Sequence, residues 1–240
     1  YNARLANGVL IGDTIVCPSH QACFCARSGD LKQPPALNAL PRFEVAMRGD
    51  DIVVRIPEKV SKSRIPDLVS PDPQRDPRTF VILGAGAAGN AAAQSLRQNG
   101  FQGKILMISD EIDLPYDRPN LNKDYLQGDV KDEWMPLRSE KFFQNRGIEL
   151  LLGRKVTTVD VGARTISFEK GDTLSYDKLL LATGSIPRRL NVPGENLQNI
   201  FTLRSYDDSR SIAKTCGKAS RAAIIGSSFI GLEAAASLRK

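Results

Sequence analysis

Residues 79–89 read Thr-Phe-Val-Ile-Leu-Gly-Ala-Gly-Ala-Ala-Gly, an apolar run followed by three glycines in the spacing Gly-x-Gly-x-x-Gly. The apolar run at residues 79–83 predicts a buried strand, and the Ala-rich residues 88–98 before Asn99-Gly100 predict a helix. A second apolar strand is expected at residues 104–109. This order predicts a βαβ unit in an α/β domain with a parallel sheet, in which the glycine turn binds the pyrophosphate of a dinucleotide.

Each glycine of the first turn has a separate task in such a site. Gly84 permits the tight turn, Gly86 lets the backbone approach the phosphates, and Gly89 lets the helix pack against the strand. Glu111 follows the second strand, close to the expected position of an acid that binds the ribose hydroxyls. An ordinary glycine-rich loop is the alternative. The alanines between the glycines complete the predicted binding turn: Ala85, Ala87 and Ala88.

A second glycine turn follows residues 222–225, another apolar run that predicts a strand. It reads Gly226-Ser227-Ser228-Phe229-Ile230-Gly231, so Ser228 stands where the middle glycine is expected. A structural turn is the alternative to a second nucleotide site. Beside the first turn, this segment favours a protein that holds two dinucleotides, which in turn favours redox chemistry.

Composition limits the class of protein. The chain has 240 residues, 41% hydrophobic and 25% charged, as is ordinary for a globular protein. Its net charge of +6 is spread along the sequence, so we expect no nucleic-acid partner. No apolar run is long enough to suggest a membrane span. Since the chain begins with Tyr1 and not Met, we expect a processed or fragmentary chain.

The chain divides by pattern into three segments. Residues 1–57 are mostly strand: residues 9–16 alternate around Gly12-Asp13, and a hairpin turn is predicted at Gly49-Asp50-Asp51. Residues 58–78 are rich in proline and charge and predict a linker. From Thr79 onward strands alternate with helices, apart from a β-meander expected around Gly162.

Three of the four cysteines lie together with the single histidine, at Cys17, His20, Cys23 and Cys25. This pattern does not suggest the disulfide framework of a secreted protein, so we expect a reducing compartment, the cytoplasm or alternatively the mitochondrion. The spacing Cys17-x-x-His20 suits half of a Rieske centre, which needs two cysteines and two histidines. A zinc site and purely structural cysteines are the alternatives.

Beyond these single motifs, nearly the whole chain resembles a known family. Cys17-x-x-His20, then Ala22-x-Phe24 and Ser28-Gly29-Asp30, resemble the second cluster-binding box of Rieske domains, and residues 114–123, Leu-Pro-Tyr-Asp-Arg-Pro-Asn-Leu-Asn-Lys, resemble a flavin-binding segment. Together they resemble Rieske-containing flavoprotein reductases of the apoptosis-inducing-factor-like type, relatives of ferredoxin and rubredoxin reductases. That family usually has an aromatic residue and a glycine where Ser19 and Gln21 stand.

The resemblance implies an α/β flavoprotein with two dinucleotide-binding domains and a Rossmann-like parallel sheet, preceded by a partial all-β Rieske domain. In these terms, residues 1–57 are the partial Rieske domain and residues 58–78 the linker. Residues 79–200 are the first part of the FAD-binding domain. Residues 201–240 begin the NAD(P)-binding domain, and the chain is a fragment.

The resemblance also implies three cofactors: FAD, NAD(P)H and a [2Fe–2S] cluster. Cys17 and His20 are the implied metal ligands, and the remaining two lie upstream of residue 1. Arg118 and Lys123 are the implied catalytic residues beside the flavin. The other implied FAD contacts, beyond the glycine turn and Glu111, are Val156, Ala182, Thr183, Gly184 and Arg188. The implied NAD(P)H contacts are Gly226, Ser227, Phe229, Ile230 and Glu233.

The expected reaction is transfer of electrons from NAD(P)H through FAD to the Rieske-type centre or another one-electron acceptor, which can be a protein. Residues 90–150 contain no cysteine, so the flavin is not expected to reduce a disulfide. The alternative is an NADH-sensing interaction protein with little turnover. The fragment itself can be inactive, and the residues that distinguish NADH from NADPH are expected after Lys240.

Overall fold

The computed structural model describes residues 3–61 and 63–239. The chain forms two compact units, Tyr1–Leu68 and Val69–Lys240. Within the described residues, no helix combines the length and the apolar character needed to cross a membrane.

The first unit is built from short antiparallel strands. Four strands pair in sequence order, β1 to β4, and two more form a separate hairpin, β5 and β6. The sheet covers a small core around Phe24, Ala22 and Cys17. The hairpin predicted at Gly49-Asp50-Asp51 is confirmed, and residues 9–16 form a second hairpin that turns at Gly12-Asp13. The strands are β1 (Val9–Ile11), β2 (Thr14–Val16), β3 (Cys23–Cys25), β4 (Leu31–Gln33), β5 (Glu44–Arg48) and β6 (Asp51–Arg55), and a short 3-10 helix covers Leu5–Asn7.

The proline-rich segment at residues 58–78 is divided between the two units. In the first unit, the backbone of Arg64 forms a bridge with Ala39, and its side chain pairs with Asp30. In the second unit, the N–H groups of Val69 and Asp72 donate to backbone carbonyls of that unit. Most of the segment is irregular, as its prolines lead one to expect.

The second unit contains a parallel sheet of four strands in the order β13-β7-β8-β9. Helix α1 (Ala87–Gln98) connects β7 to β8, and a three-stranded antiparallel β-meander packs against the sheet through Ile166 and Phe168. The strands are β7 (Thr79–Leu83), β8 (Lys104–Ile108), β9 (Ile148–Leu151), β10 (Val156–Asp160), β11 (Thr165–Phe168), β12 (Thr173–Ser175) and β13 (Lys178–Leu181).

The central strands form because their residues are apolar on both faces. Val81, Leu106 and Ile108 are almost completely buried on the face that packs against the β-meander. The residues that alternate with them are buried on the other face: Ile82, Ile105 and Met107. Arg97, near the end of α1, is also fully buried and donates to the carbonyl oxygens of four residues. These acceptors are Phe101, Gly103, Arg146 and Gly147. The predicted βαβ unit is confirmed.

The described part of the second unit has four further helices: α2 (Asp124–Gln127), α3 (Glu140–Asn145), α4 (Tyr206–Cys216) and α5 (Phe229–Leu238). Two 3-10 helices cover Arg118–Asn122 and Asp132–Trp134. Helix α3 packs against β9, whereas α4 and α5 pack against α2. Helix α4 begins at a capping box in which Ser205 and Asp208 satisfy each other's backbone N–H groups. The strand predicted at residues 222–225 is absent from the structure. A strand needs a hydrogen-bonded neighbour, and none of the described strands lies beside this segment.

Candidate dinucleotide-binding site

A cleft of about 610 Å³ opens at the carboxyl ends of β7, β8 and β13. This is the edge of a parallel sheet at which α/β proteins bind nucleotides. The residues come from the glycine turn, the two strand ends, the start of the β-meander and the segment before α4. The lining includes residues 83–88 and 108–111, with Asp113, Tyr116, Arg118, Arg154, Lys155, Val156, residues 182–187, Arg204 and Ser205.

The first glycine turn requires glycine at two positions. Gly84 has a φ of +118°, and a Cβ at this residue would lie 2.0 Å from the carbonyl oxygen of Ala182. A Cβ at Gly89 would lie 2.0 Å from the carbonyl oxygen of Gly84. Gly86 precedes α1 and provides no side-chain cap, so no cap side chain occupies the first N–H groups of the helix, whose residues Ala87 and Ala88 line the cleft. A helix N-terminus of this kind attracts a phosphate group.

Two carboxylates follow β8 in the wall of the cleft. Glu111 accepts hydrogen bonds from the hydroxyl of Tyr116 at 2.6 Å and from the guanidinium of Arg118 at 2.7 Å. Asp110, which sequence reasoning did not single out, is exposed in the same wall. The hydrogen bond to Glu169, and to a smaller extent the charge of Asp110, raises the pKa of Lys155. The position after β8 that led us to predict Glu111 as the ribose ligand applies equally to its neighbour Asp110.

Arg118 is held in the cleft from three sides. Besides its ion pair with Glu111, it donates to the carbonyl oxygen of Arg204 at 2.8 Å, and its guanidinium lies 4.7 Å from the ring centroid of Tyr116. Burial, together with the hydrogen bond to Glu111, raises the pKa of Tyr116 well above its ordinary value. Tyr116 therefore stays a neutral donor, and Arg118 presents a fixed positive charge to the cleft.

Arg204 is a site residue that the sequence reasoning missed. It lines the cleft, its side chain donates to the carbonyl oxygen of Ser185 at 3.1 Å, and it lies next to Gly184. Its backbone N–H donates a hydrogen bond to the carboxylate of Asp208, which belongs to the α4 capping box. A lone arginine ahead of a helix carries no signal in a single sequence, so only the fold reveals this position.

Lys123 lies away from the lining of the cleft and contacts α5. Its amine is 2.7 Å from the Glu233 carboxylate, and the amide of Asn122 donates to the same oxygen at 2.6 Å. Hydrogen bonds from Lys123 and then Asn122 lower the pKa of Glu233. The structure thus brings together two residues that were predicted to contact different cofactors, flavin for Lys123 and nicotinamide nucleotide for Glu233.

The remaining predicted contacts divide between the cleft and exposed surface. Val156, Ala182, Thr183 and Gly184 line the cleft, as do Ala85, Ala87 and Ala88 of the turn. Arg188 lies outside the lining and is exposed. The residues of the second glycine turn also lie outside it and are exposed: Gly226, Ser227, Phe229 and Ile230.

The loop between β2 and β3 carries the predicted metal ligands. The Cys17 thiol is buried in the core of the first unit, while His20 is exposed on the following turn. Gln21, next to His20, has a φ of +61°. The N–H of Cys17 donates to the Ala22 carbonyl at 2.8 Å, which closes the loop. A thiol and an imidazole on one loop suit half of a Rieske ligand set. The described residues contain no cluster of three or more metal-ligating side chains.

Comparison with known proteins agrees with this geometry. The profile of the pyridine nucleotide-disulphide oxidoreductase family matches residues 78–240. The chain belongs to this family. The profile of the Rieske [2Fe-2S] domain matches residues 1–44. The fold prediction is confirmed: a Rossmann-like α/β flavoprotein fold with a parallel sheet follows an N-terminal Rieske fragment.

Two curated relatives show how far the similarity extends. Apoptosis-inducing factor 3 of Homo sapiens is 36% identical across 99% of this chain, which covers 40% of that protein. Rhodocoxin reductase of Rhodococcus erythropolis is 40% identical across 68% of this chain, which covers 38% of that protein. The predicted resemblance is confirmed, and the chain spans about 40% of the length of such relatives.

Solved structures support the same fold. NADH:rubredoxin oxidoreductase from Clostridium acetobutylicum aligns with a TM-score of 0.63 and 31% identity, over 68% of this chain and 42% of that one. Putidaredoxin reductase in its covalent complex with putidaredoxin aligns with a TM-score of 0.62 and 33% identity, over 68% of this chain and 40% of that one.

Proposed function

We propose that this chain is part of an FAD-dependent NAD(P)H oxidoreductase that passes electrons to a Rieske-type [2Fe–2S] centre or another one-electron acceptor. The observation that carries the proposal is the cleft at the carboxyl ends of the parallel strands. It forms around a glycine turn in which a side chain at Gly84 or Gly89 would clash with the backbone. Membership of the pyridine nucleotide-disulphide oxidoreductase family supports it.

The residues of the cleft fit the parts of FAD. The N–H groups of the turn and of α1 would hold the pyrophosphate. A carboxylate after β8 would accept hydrogen bonds from the ribose hydroxyls. Glu111 has the predicted spacing from the glycine turn, but its carboxylate already accepts hydrogen bonds from Tyr116 and Arg118. Asp110 is the more open carboxylate, so we propose that Asp110 binds the ribose and that Glu111 orients Arg118.

FAD, when bound, accepts a hydride from a nicotinamide and releases electrons one at a time. Arg118 would add a fixed positive charge to the site that holds the anionic cofactor. Lys123 would add a second positive charge, which its ion pair with Glu233 partly neutralises. Val156, Ala182, Thr183, Gly184 and Arg188 would complete the FAD contacts. Gly226, Ser227, Phe229, Ile230 and Glu233 would begin the NAD(P)H site.

The acceptor is a separate part of the proposal. Cys17 and His20 would supply one sulfur and one nitrogen of a [2Fe–2S] centre, with two further ligands from outside this chain. Several relatives are named as reductases of ferredoxin or rubredoxin, which supports a protein acceptor. For the compartment we propose the cytoplasm, with the mitochondrion as the alternative, because the cysteine pattern does not suggest the disulfide framework of a secreted protein.

A second candidate function is an NADH-sensing interaction protein with little turnover. The similarity to apoptosis-inducing factor 3 over 99% of the chain is the observation that motivates this alternative, which has no better support than the oxidoreductase. It would use the same cleft, but NADH binding would serve to change the protein's contacts and not to reduce an acceptor.

The decisive experiment is an anaerobic NADH titration of the full-length protein, followed by absorption and electron paramagnetic resonance. Bleaching of flavin bands together with a reduced [2Fe–2S] signal would support electron flow to the cluster. Flavin bands without an iron signal would remove the Rieske part. Rapid turnover with ferricyanide would favour the enzyme, while a stable NADH complex without turnover would favour the sensor. A protein without flavin would overturn the proposal.

A further inference from the structure

An arginine near the start of α4 forms ion pairs with three carboxylates. The Nη1 atom of Arg210 lies 3.6 Å from an oxygen of Asp113 and 3.6 Å from an oxygen of Asp207. Its Nη2 atom donates to the carboxylate of Asp132 at 3.1 Å. Since three anions share one cation, their access to water decides which of them depends most on the arginine.

The three carboxylates differ in exposure and in position. The side chain of Asp113 is 23% exposed, whereas those of Asp132 and Asp207 are 64% and 82% exposed. Asp113 lines the cleft described above, while Asp132 and Asp207 lie outside its lining. Water screens the two exposed charges, but the charge of Asp113 acts on any ligand that the cleft holds.

Two aromatic side chains fix the position of Arg210. Its Nε atom donates to the hydroxyl of Tyr125 at 3.2 Å, and its guanidinium lies 4.1 Å from the ring centroid of Tyr206. Burial raises the pKa of both tyrosines, so both are neutral near pH 7. The arginine itself stays charged at every pH at which the protein is studied.

The groups that act on Asp113 come from three segments. Burial raises the pKa of Asp113, and the charge of Arg210 opposes that rise. The carboxylates of Asp207, Glu111 and Asp132 act in the same direction as burial. Loss of the arginine would therefore leave Asp113 with less exposure to water than its neighbours and without its ion-pair partner.

We propose that Arg210 is a positioning residue of the cleft, which holds and neutralises Asp113 so that the cleft can bind an anionic dinucleotide. The inference rests on the proposed function, because it takes FAD as the ligand. An unpaired carboxylate in the lining would repel the negative pyrophosphate of FAD. Arg210 lies outside the lining and acts through Asp113.

The test is the affinity of the FAD-free full-length protein for FAD, followed by flavin fluorescence. Arg210→Gln should weaken FAD binding about fivefold at pH 8, because it leaves Asp113 without its cation. Adding Asp113→Asn to this variant should restore the affinity to within about twofold of the wild type. Adding Asp207→Asn is the matched control and should restore nothing, since Asp207 pairs with Nη1 at the same 3.6 Å but outside the cleft.

The pH dependence separates an effect of charge from a loss of packing. Lowering the pH from 8 to 5 should reduce the difference in affinity between Arg210→Gln and the wild type, since protonation of Asp113 removes the repelling charge. A purely structural arginine would give a loss that neither low pH nor Asp113→Asn repairs. That result, or an unchanged affinity in the folded Arg210→Gln protein, would overturn the proposal.

A second variant serves if Arg210→Gln does not fold. Asp113→Asn alone removes the carboxylate and leaves the arginine, so FAD should bind about twofold more tightly at pH 8 than to the wild type. Asp207→Asn should leave the affinity unchanged, and equal affinities of the two variants would contradict the proposal. A wild-type protein that does not bind FAD would overturn the proposed function as well, which none of the other outcomes does.

Discussion

The two glycine turns have nearly the same local geometry and very different surroundings. Gly84 and Gly226 have φ values of +118° and +114°. A Cβ at Gly89 would lie 2.0 Å from the Gly84 carbonyl, and one at Gly231 would lie 2.3 Å from the Gly226 carbonyl. Yet the first turn follows a buried central strand, whereas the second follows exposed residues without a strand.

This difference separates what a short sequence encodes from what a sheet supplies. The turn and the start of the helix depend on a few residues, chiefly the two glycines, and form in both places. The strand depends on partners far away in sequence: β7 pairs with β8 on one side and with β13 on the other. Residues 222–225 have no such neighbour among the described strands, and apolar character alone does not make a strand.

The sharpest test of the comparison is to add one methyl group at the first position of each turn. Gly84→Ala would place a Cβ against the Ala182 carbonyl as well as straining the backbone, so we expect a loss of about 4 kcal/mol in the free energy of unfolding. Gly226→Ala meets the same φ restriction but no described atom within 4 Å, so we expect about 1 kcal/mol. Urea unfolding followed by circular dichroism measures both.

Bound FAD provides a second readout for this pair. Gly84→Ala should also lose FAD during gel filtration, while Gly226→Ala should retain it. Equal losses of stability in the two variants would mean that backbone strain, and not the contact with the Ala182 carbonyl, sets the requirement for glycine.

The next largest effect is expected at the eighth residue after each closing glycine. Arg97 is fully buried in α1 and donates to the carbonyls of four residues, and burial lowers its pKa. Arg97→Met would leave buried carbonyl groups without donors, and we expect a loss of about 3 kcal/mol. Arg239 occupies the equivalent place after the second turn and is exposed, so Arg239→Met should change stability by less than about 0.5 kcal/mol.

Thermal and urea unfolding of these two variants test whether the hydrogen bonds of Arg97 hold α1 in place. A loss below about 1 kcal/mol for Arg97→Met would show that apolar packing of α1 suffices, and that the carbonyl groups find water instead.

The sequence predicted the local parts of this site well and the distant parts poorly. Residues 79–108 carry strand, turn and helix signals within one continuous stretch, so the βαβ unit follows from spacing alone. Arg204 enters the cleft only because the segment before α4 returns to it, and the Lys123–Glu233 pair forms only because α5 packs near α2. Such contacts depend on tertiary structure, which a single sequence does not display.

A smaller effect is expected from the carboxylates that follow β8. Asp110→Asn should weaken FAD binding about tenfold, which corresponds to about 1.4 kcal/mol, because Asp110 is the open carboxylate in the cleft. Glu111→Gln should weaken it by about threefold, through the less firmly held Arg118. Titration of the FAD-free full-length protein with FAD, followed by flavin fluorescence, measures both. The reverse order would identify Glu111 as the ribose ligand, as its spacing predicts.

The smallest expected effect concerns a left-handed position that is not occupied by glycine. Gln21 has a φ of +61° beside His20, and a side chain in this left-handed region costs about 1 kcal/mol. Glycine would remove that strain, but the greater conformational entropy of its unfolded chain would offset part of the gain. Gln21→Gly should therefore stabilise the first unit by about 0.5 kcal/mol. Asn199→Gly, at a φ of +66°, is the control and should gain nothing, because asparagine tolerates this conformation. A loss of stability in Gln21→Gly, measured by urea unfolding, would show that the glutamine side chain itself stabilises the Cys17–His20 loop.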